Sequence, residues 1–283
     1  MKKILVPTDF SACANNALNL AVQIAKLLSW DIVLVHTVGI EAGMYMDYMG
    51  VQKEYEEEML EDAGKQLQLL KDAIQQTEKL SIETRLSTGG IKENILASAK
   101  EIKPGLIVMG TMGTTGGPGE KLWGTKTAAI TGDSTIPVIA VPYSYSWREP
   151  NEILFATNHF EKAPLLLTPL FEIARLFKSR IHAVVFTDED SASGSDFVDH
   201  SRGLHDYSYF LSQTFPEQNI ATAHISGSRF EEALQQYIEK NNIGMVAMIS
   251  QQRGFLSRLV HPSATRSMAY HATIPLLIIP DKH

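Results

Sequence analysis

Apolar residues fall along this chain in short unbroken runs rather than in alternation with polar ones. Ile32-Val33-Leu34-Val35 and Leu106-Ile107-Val108-Met109 carry no polar residue on either face, as strands of a parallel sheet covered on both sides require. Between such runs the apolar positions change to helical spacing, as in Ala17, Ala21, Ile24 and Ala25. The order predicted is strand, helix, strand, long helix, strand, helix, strand, loop, helix, strand. It then begins again.

The second pass copies the first. Ile4-Leu5-Val6-Pro7-Thr8-Asp9 returns as Ile153-Leu154-Phe155-Ala156-Thr157-Asn158, an offset of 149. Ile32-Val33-Leu34-Val35 answers to Ile181-His182-Ala183-Val184 at the same offset, and Leu166, Leu170, Ile173 and Ala174 repeat the first helix. The closing runs, Ile136–Pro142 and Ile274–Pro280, lie 138 apart, so the second half is 11 residues shorter. Thr88-Gly89 and Ser226-Gly227 already show the shorter offset, which puts the deletion between about Thr37 and Thr88. Such a repeat predicts two homologous α/β domains, each doubly wound around a mostly parallel five-stranded sheet. The boundaries expected are 1–143 and 151–283, with 144–150 as a linker. Val138–Val141 and Leu276–Ile279, last strands of the two halves, are candidates to pair within one chain as a pseudo-dimer, with a homodimer of chains as a further possibility, because exposed strand edges want cover.

Composition narrows the class. A chain of 283 residues with 44% hydrophobic content has material for two cores. The net charge of −7 gives no basic face for nucleic acid or an anionic membrane. Cys13 is the single cysteine, which excludes an intrachain disulfide and a cysteine-rich metal site. No apolar run approaches the ~20 residues of a membrane span. The chain enters Ile4-Leu5-Val6 at once, leaving no room for a signal peptide. A cytoplasmic location is expected.

Doubly wound folds bind ligands beyond the carboxyl ends of their strands. Pro7-Thr8-Asp9 follows the first strand, where Asp9 can either accept from ribose hydroxyls or cap the helix beginning near Ser11. After the fourth strand come Met109-Gly110-Thr111-Met112-Gly113, a glycine-rich loop, and Gly124-Thr125-Lys126-Thr127 opening a helix. Glycines admit an anion close to the backbone, and free amides at a helix start favour phosphate. The same loop, crowded with Gly116, Gly117 and Gly119, also reads as a mobile turn.

These residues resemble the universal stress protein family. The resemblance rests on Lys3-Ile4-Leu5-Val6-Pro7-Thr8-Asp9-Phe10-Ser11, on Val33-Leu34-Val35-His36, on Gly110-x-x-Gly113 with Gly124-Thr125, and on Ile136-Pro137-Val138-Ile139-Ala140-Val141. It implies an adenine nucleotide alpha hydrolase-like fold, a role in stress response, and ATP as a regulatory ligand, with Mg2+ left open. Pro7, Thr8 and Asp9 would then stand at base and ribose, with the Thr37 backbone near adenine. Met109, Gly110 and Gly113 would line the nucleotide, and Gly124, Thr125, Lys126 and Thr127 its phosphates. One departure stands out: ten residues separate Gly113 from Gly124, where the family pattern has nine. The second half lacks the equipment. Asn158 and an added His159 replace the Asp9 turn, Met248-Ile249-Ser250-Gln251-Gln252-Arg253 holds no glycine pair, and Pro262-Ser263 stands for Gly124-Thr125. No ATP is expected there, although Arg253, Arg258 and His261 leave another anion open.

His200 and His205, beside Asp199, lack the one-face spacing of a metal site and read as surface histidines in flexible segments. Met44, Tyr45, Met46 and Met49 form either a partner surface or core, and Glu54, Glu56, Glu57, Glu58 and Glu61 a solvated helix start. There is no Gly-x-x-x-x-Gly-Lys-Ser/Thr loop and no Gly-x-Ser-x-Gly elbow. An efficient enzyme is not expected, and slow ATP hydrolysis stays open. The rivals are a nucleotide-free scaffold acting through protein contacts and an adenylyl-transferring enzyme. The second would want a paired His motif or a Ser-Gly-Gly loop that the chain does not show.

Overall fold

The computed structural model describes residues 2–39, 51–111, 125–157, 159–190, 194–250 and 273–281. It divides into two compact units, Met1–Ser144 and Tyr145–His283. Gly113, Gly124, Asn158, Arg253, Pro262 and the Met44–Met49 cluster lie outside the described residues, so the readings placed on them are not addressed.

The first unit runs β1 (Lys3–Pro7), α1 (Ala12–Leu28), β2 (Asp31–Val38), α2 (Val51–Thr77), β3 (Ile82–Thr88), α3 (Ile91–Ile102), β4 (Leu106–Gly110), α4 (Thr125–Asp133) and β5 (Val138–Val141). Its strands lie in the order β3-β2-β1-β4-β5. All these pairs are parallel, with Ile4 opposite Ile32 and Leu106, and Gly110 opposite Val141. Placing β1 between β2 and β4 reverses the winding there, and a crevice opens above their carboxyl ends. The apolar runs become the core. Leu5, Val33, Val35, Ile107, Met109 and Val138 pack beneath α3 and α4 against Ile95, Ala99 and Ile130. Fully burying each such aliphatic side chain contributes ~1.5–3 kcal/mol, which explains why the sheet tolerates so little polarity.

The second unit repeats the plan with β6 (Glu152–Ala156), α5 (Pro164–Leu176), β7 (Arg180–Asp188), α6 (Gly194–Thr214), β8 (Ile220–Gly227), α7 (Phe230–Lys240), β9 (Met245–Ile249) and β10 (Leu276–Ile279). Its order, β8-β7-β6-β9-β10, is again parallel at every step. The tandem doubly wound architecture expected from the repeat is therefore what the chain forms. From Tyr145 onward the interdomain segment is tied into the second unit. Tyr145 is buried with its hydroxyl donating to the Arg148 carbonyl at 3.2 Å, Trp147 packs on Phe177, and Ser179 donates to the Pro150 carbonyl.

Candidate functional site

The turn leaving β1 is braced by its own side chains. The Thr8 amide donates to the Val35 carbonyl at 2.9 Å, continuing the β1–β2 ladder, while Thr8 Oγ1 accepts from the Phe10 amide at 3.0 Å. Asp9 Oδ1 accepts from the Ser11 amide at 3.1 Å, and Ser11 Oγ accepts from Ala14 at 3.1 Å as the helix cap. The ambiguity at Asp9 is thereby settled in part: Ser11 caps α1, and Asp9 shapes the turn before it. Phe10 adopts φ 62°, a left-handed conformation that costs a non-glycine residue on the order of 1–3 kcal/mol. Its ring lies on His36 with centroids 4.5 Å apart.

His36 is a residue that sequence reasoning passed over as part of a strand. Its Nδ1 lies 2.7 Å from the Thr8 carbonyl, which can only accept, so Nδ1 carries a proton. The signal available was its position beside Thr37 at the carboxyl end of β2. Thr37 itself is buried and bonds Ser87 on β3 at 3.0 Å.

At the end of β4 the glycine has a packing reason. A Cβ at Gly110 would stand 2.8 Å from Cys13 Sγ and 3.0 Å from the Cys13 carbonyl carbon. Helix α1 therefore sits against bare backbone there, and Cys13 Sγ reaches the Val141 carbonyl at 3.3 Å. Thr127, expected to offer its hydroxyl to phosphate, spends its one proton on the Gly110 carbonyl at 3.0 Å, or on Thr111 at 3.4 Å. That hydroxyl ties α4 to β4. Lys126, one residue earlier, is exposed, and Thr125 begins α4.

Pro7, Thr8, Asp9, Thr37, Met109, Gly110, Lys126 and Thr127 all line one cavity of about 560 Å³, within the usual range for small-molecule sites. Val35, Ile91, Ile95 and Ile130 add an apolar wall, and Phe10, His36, Met59, Asp62 and Gln66 the side toward α2. The chemistry is that of a binding site for a ligand with an apolar part and an anionic end. Lys126 and the first turn of α4 suit the anion, Asp9 suits hydroxyl donors, and Met109 with the isoleucines suits a flat apolar group.

Elsewhere the histidines are more structured than expected. His200 bonds the buried Thr187 at 2.6 Å from α6, which corrects its reading as a surface residue in a flexible segment: helix and strand fix it. His182 is buried between Glu152 at 2.6 Å and the Tyr237 hydroxyl at 2.8 Å. Among the described residues no group of three or more His, Cys, Asp or Glu could hold a metal, and no helix is long and apolar enough to cross a membrane.

The universal stress protein family matches the chain twice, over residues 1–142 and 150–280. A universal stress protein from Archaeoglobus fulgidus aligns with 98% of this chain and 96% of its own at 17% identity, with a TM-score of 0.67, a likeness of fold. Another from Lactobacillus plantarum is 26% identical over 49% of this chain and 96% of its own, with a TM-score of 0.46. No curated protein matches the chain by sequence.

Proposed function

The chain belongs to the universal stress protein family, and on that premise we propose that its first unit binds ATP as a regulatory ligand while the second does not. The observation that carries this reading is the convergence of Pro7, Thr8, Asp9, Thr37, Met109, Gly110 and Lys126 on one cavity above the switch point of the sheet. The adenine would lie among Pro7, Met109 and the Thr37 backbone. Asp9 would accept from the ribose hydroxyls, and the phosphates would meet Lys126 and the amides opening α4. Thr127 holds the floor of the site through Gly110 rather than touching phosphate.

On this reading the nucleotide is a ligand rather than a substrate for efficient turnover, with slow ATP hydrolysis left open. Asp9 is held in its turn by the Ser11 amide and Lys126 would meet the phosphates as a cation, while Asp62 and His36 stand on the side of the cavity toward α2. A bound nucleotide then acts by its different affinity for two conformations of the first unit. Denaturing the purified protein and identifying the released small molecules tests the reading, with added ATP tried both with and without magnesium. Release of an adenine nucleotide from the parent, much reduced from Asp9→Ala, supports it. Equal release from Asp9→Ala would take Asp9 out of the nucleotide site, and no release from either at millimolar ATP favours the nucleotide-free scaffold.

A further inference from the structure

A second cluster lies in the other unit, built from three elements. His224 on β8 is held at both nitrogens: Ser201 Oγ on α6 lies 2.9 Å from Nδ1, and Thr187 Oγ1 on β7 lies 2.7 Å from Nε2. Thr187 Oγ1 in turn lies 2.6 Å from Nδ1 of His200, so one buried hydroxyl bridges two imidazoles. Phe197 stacks on the His224 ring at 4.2 Å, and the two imidazoles stand 6.0 Å apart edge to face. Ser201 is exposed. The nucleophile-bearing end is accessible, while the orienting end is locked.

Two proton orders satisfy these bonds, since each ring nitrogen can donate or accept, and one of them suits a nucleophile. With the Ser201 hydroxyl donating to Nδ1, His224 carries its proton on Nε2 and donates to Thr187. The single Thr187 proton then goes to His200 Nδ1. A hydroxyl within hydrogen-bond reach of a base, itself oriented by a third group, is the arrangement that activates a serine. We propose that Ser201 is such an activated hydroxyl, a site at which the second unit takes an acyl group from an activated ester. In the step, Ser201 Oγ bonds to the ester carbonyl carbon as its proton passes to His224 Nδ1. The adduct then collapses by breaking the bond to the leaving alcohol, which departs with that proton.

Thr187 is neutral where a carboxylate would stabilise the imidazolium, which slows acylation and hydrolysis of the acyl-serine alike, and the expected product is one acyl group per chain on the timescale of the assay. The carboxylates ending β7 are engaged elsewhere, Asp188 accepting from the Asp190 amide at 3.0 Å and Glu189 from Ser226 at 2.6 Å. Burial first, and the neighbouring His200 second, hold the His224 pKa below the ordinary imidazole value. The base is therefore ready at neutral pH.

The test treats the full chain with p-nitrophenyl acetate, follows the nitrophenol released, and locates the acetyl group by peptide mass spectrometry. One acetyl on Ser201 is expected, absent from Ser201→Ala and formed about 100-fold more slowly in His224→Gln. Thr187→Ser keeps the rate and Thr187→Val loses it, which a purely structural Thr187 would not produce. The rate should rise with pH to a plateau whose midpoint lies below that of free imidazole. Acetylation of lysines or tyrosines in place of Ser201 overturns the proposal. So does an unchanged Ser201 rate in a His224→Gln variant whose circular dichroism matches the parent.

Discussion

In the first unit Thr8 donates its amide to Val35 at 2.9 Å and Phe10 follows with φ 62°; in the second, Thr157 donates to Val184 at 2.9 Å and Phe160 follows with φ 48°. Each strand thus ends on the same ladder bond and a left-handed phenylalanine follows, but the rings meet different neighbours. Phe10 lies flat on His36 and borders the cavity, whereas Phe160 packs against Tyr207 at 5.6 Å and over Gly203, where any side chain would strike its ring. The long helix decides the difference. Helix α2 turns Ala63, Gln66 and Met59 toward open space, while α6 brings a buried tyrosine. The fourth strands differ in the same sense. Gly110 pairs with Val141, and Ile249 stands at the matching register opposite Ile279, buried. A fold can thus be copied while the side chains beyond its first and fourth strands change, because the strand pairing depends on ladder bonds and the lining depends on side chains.

Exchanging the residues at that register breaks the comparison most severely. Gly110→Ile should abolish ATP binding and destabilise the first unit by roughly 3 kcal/mol, since Cys13 backbone cannot yield as a flexible side chain would. Calorimetric titration and urea unfolding read the two effects. Removing the exposed cation by Lys126→Ala should weaken ATP about 10- to 100-fold, the loss of one charged hydrogen bond, with the unfolding midpoint unchanged. Thr127→Val should invert that pattern. It leaves the Gly110 carbonyl without its donor, costing about 1–3 kcal/mol in stability, while ATP affinity shifts only a few-fold. A larger loss of affinity than of stability would return Thr127 to the phosphates.

The second unit allows finer tests. Phe160→Ala should cost about 1–2 kcal/mol, because the ring is only half buried, and should gain no ATP site. The smallest effect is in pH. His224 has a folded pKa below its unfolded value near 6.5, so the unfolded state binds the proton more readily and stability falls as pH drops through about 6.5. Above that pH the contribution is constant. His224→Gln should remove the slope in thermal melts of the second unit.

The strands and the duplication were legible because both depend on composition alone: a strand buried on two faces admits few polar residues, and Ile4–Val6 and Ile153–Phe155 show it without context. The neighbourhood of the cavity was legible for the same reason, since the carboxyl end of a parallel strand is a fixed place in the fold. Side-chain direction was not. Nothing in the spacing of Gly124-Thr125-Lys126-Thr127 says that the Thr127 hydroxyl turns back to Gly110, or that Ser11 rather than Asp9 caps α1. His200 escaped because its spacing from His205 reports only on its own helix, whereas its partners come from β7 and β8. His36 escaped because its role depends on the Thr8 carbonyl, in the turn just beyond β1.

The asymmetry between the units is tested most directly by calorimetric titration of nucleotide-stripped full-length protein with ATP and magnesium, reading stoichiometry before affinity. One ATP per chain is predicted, lost entirely in Gly110→Ile and kept in Ile249→Ala. Two per chain, or none at millimolar ATP, would contradict an account in which one copy of the fold keeps the nucleotide site and the other does not.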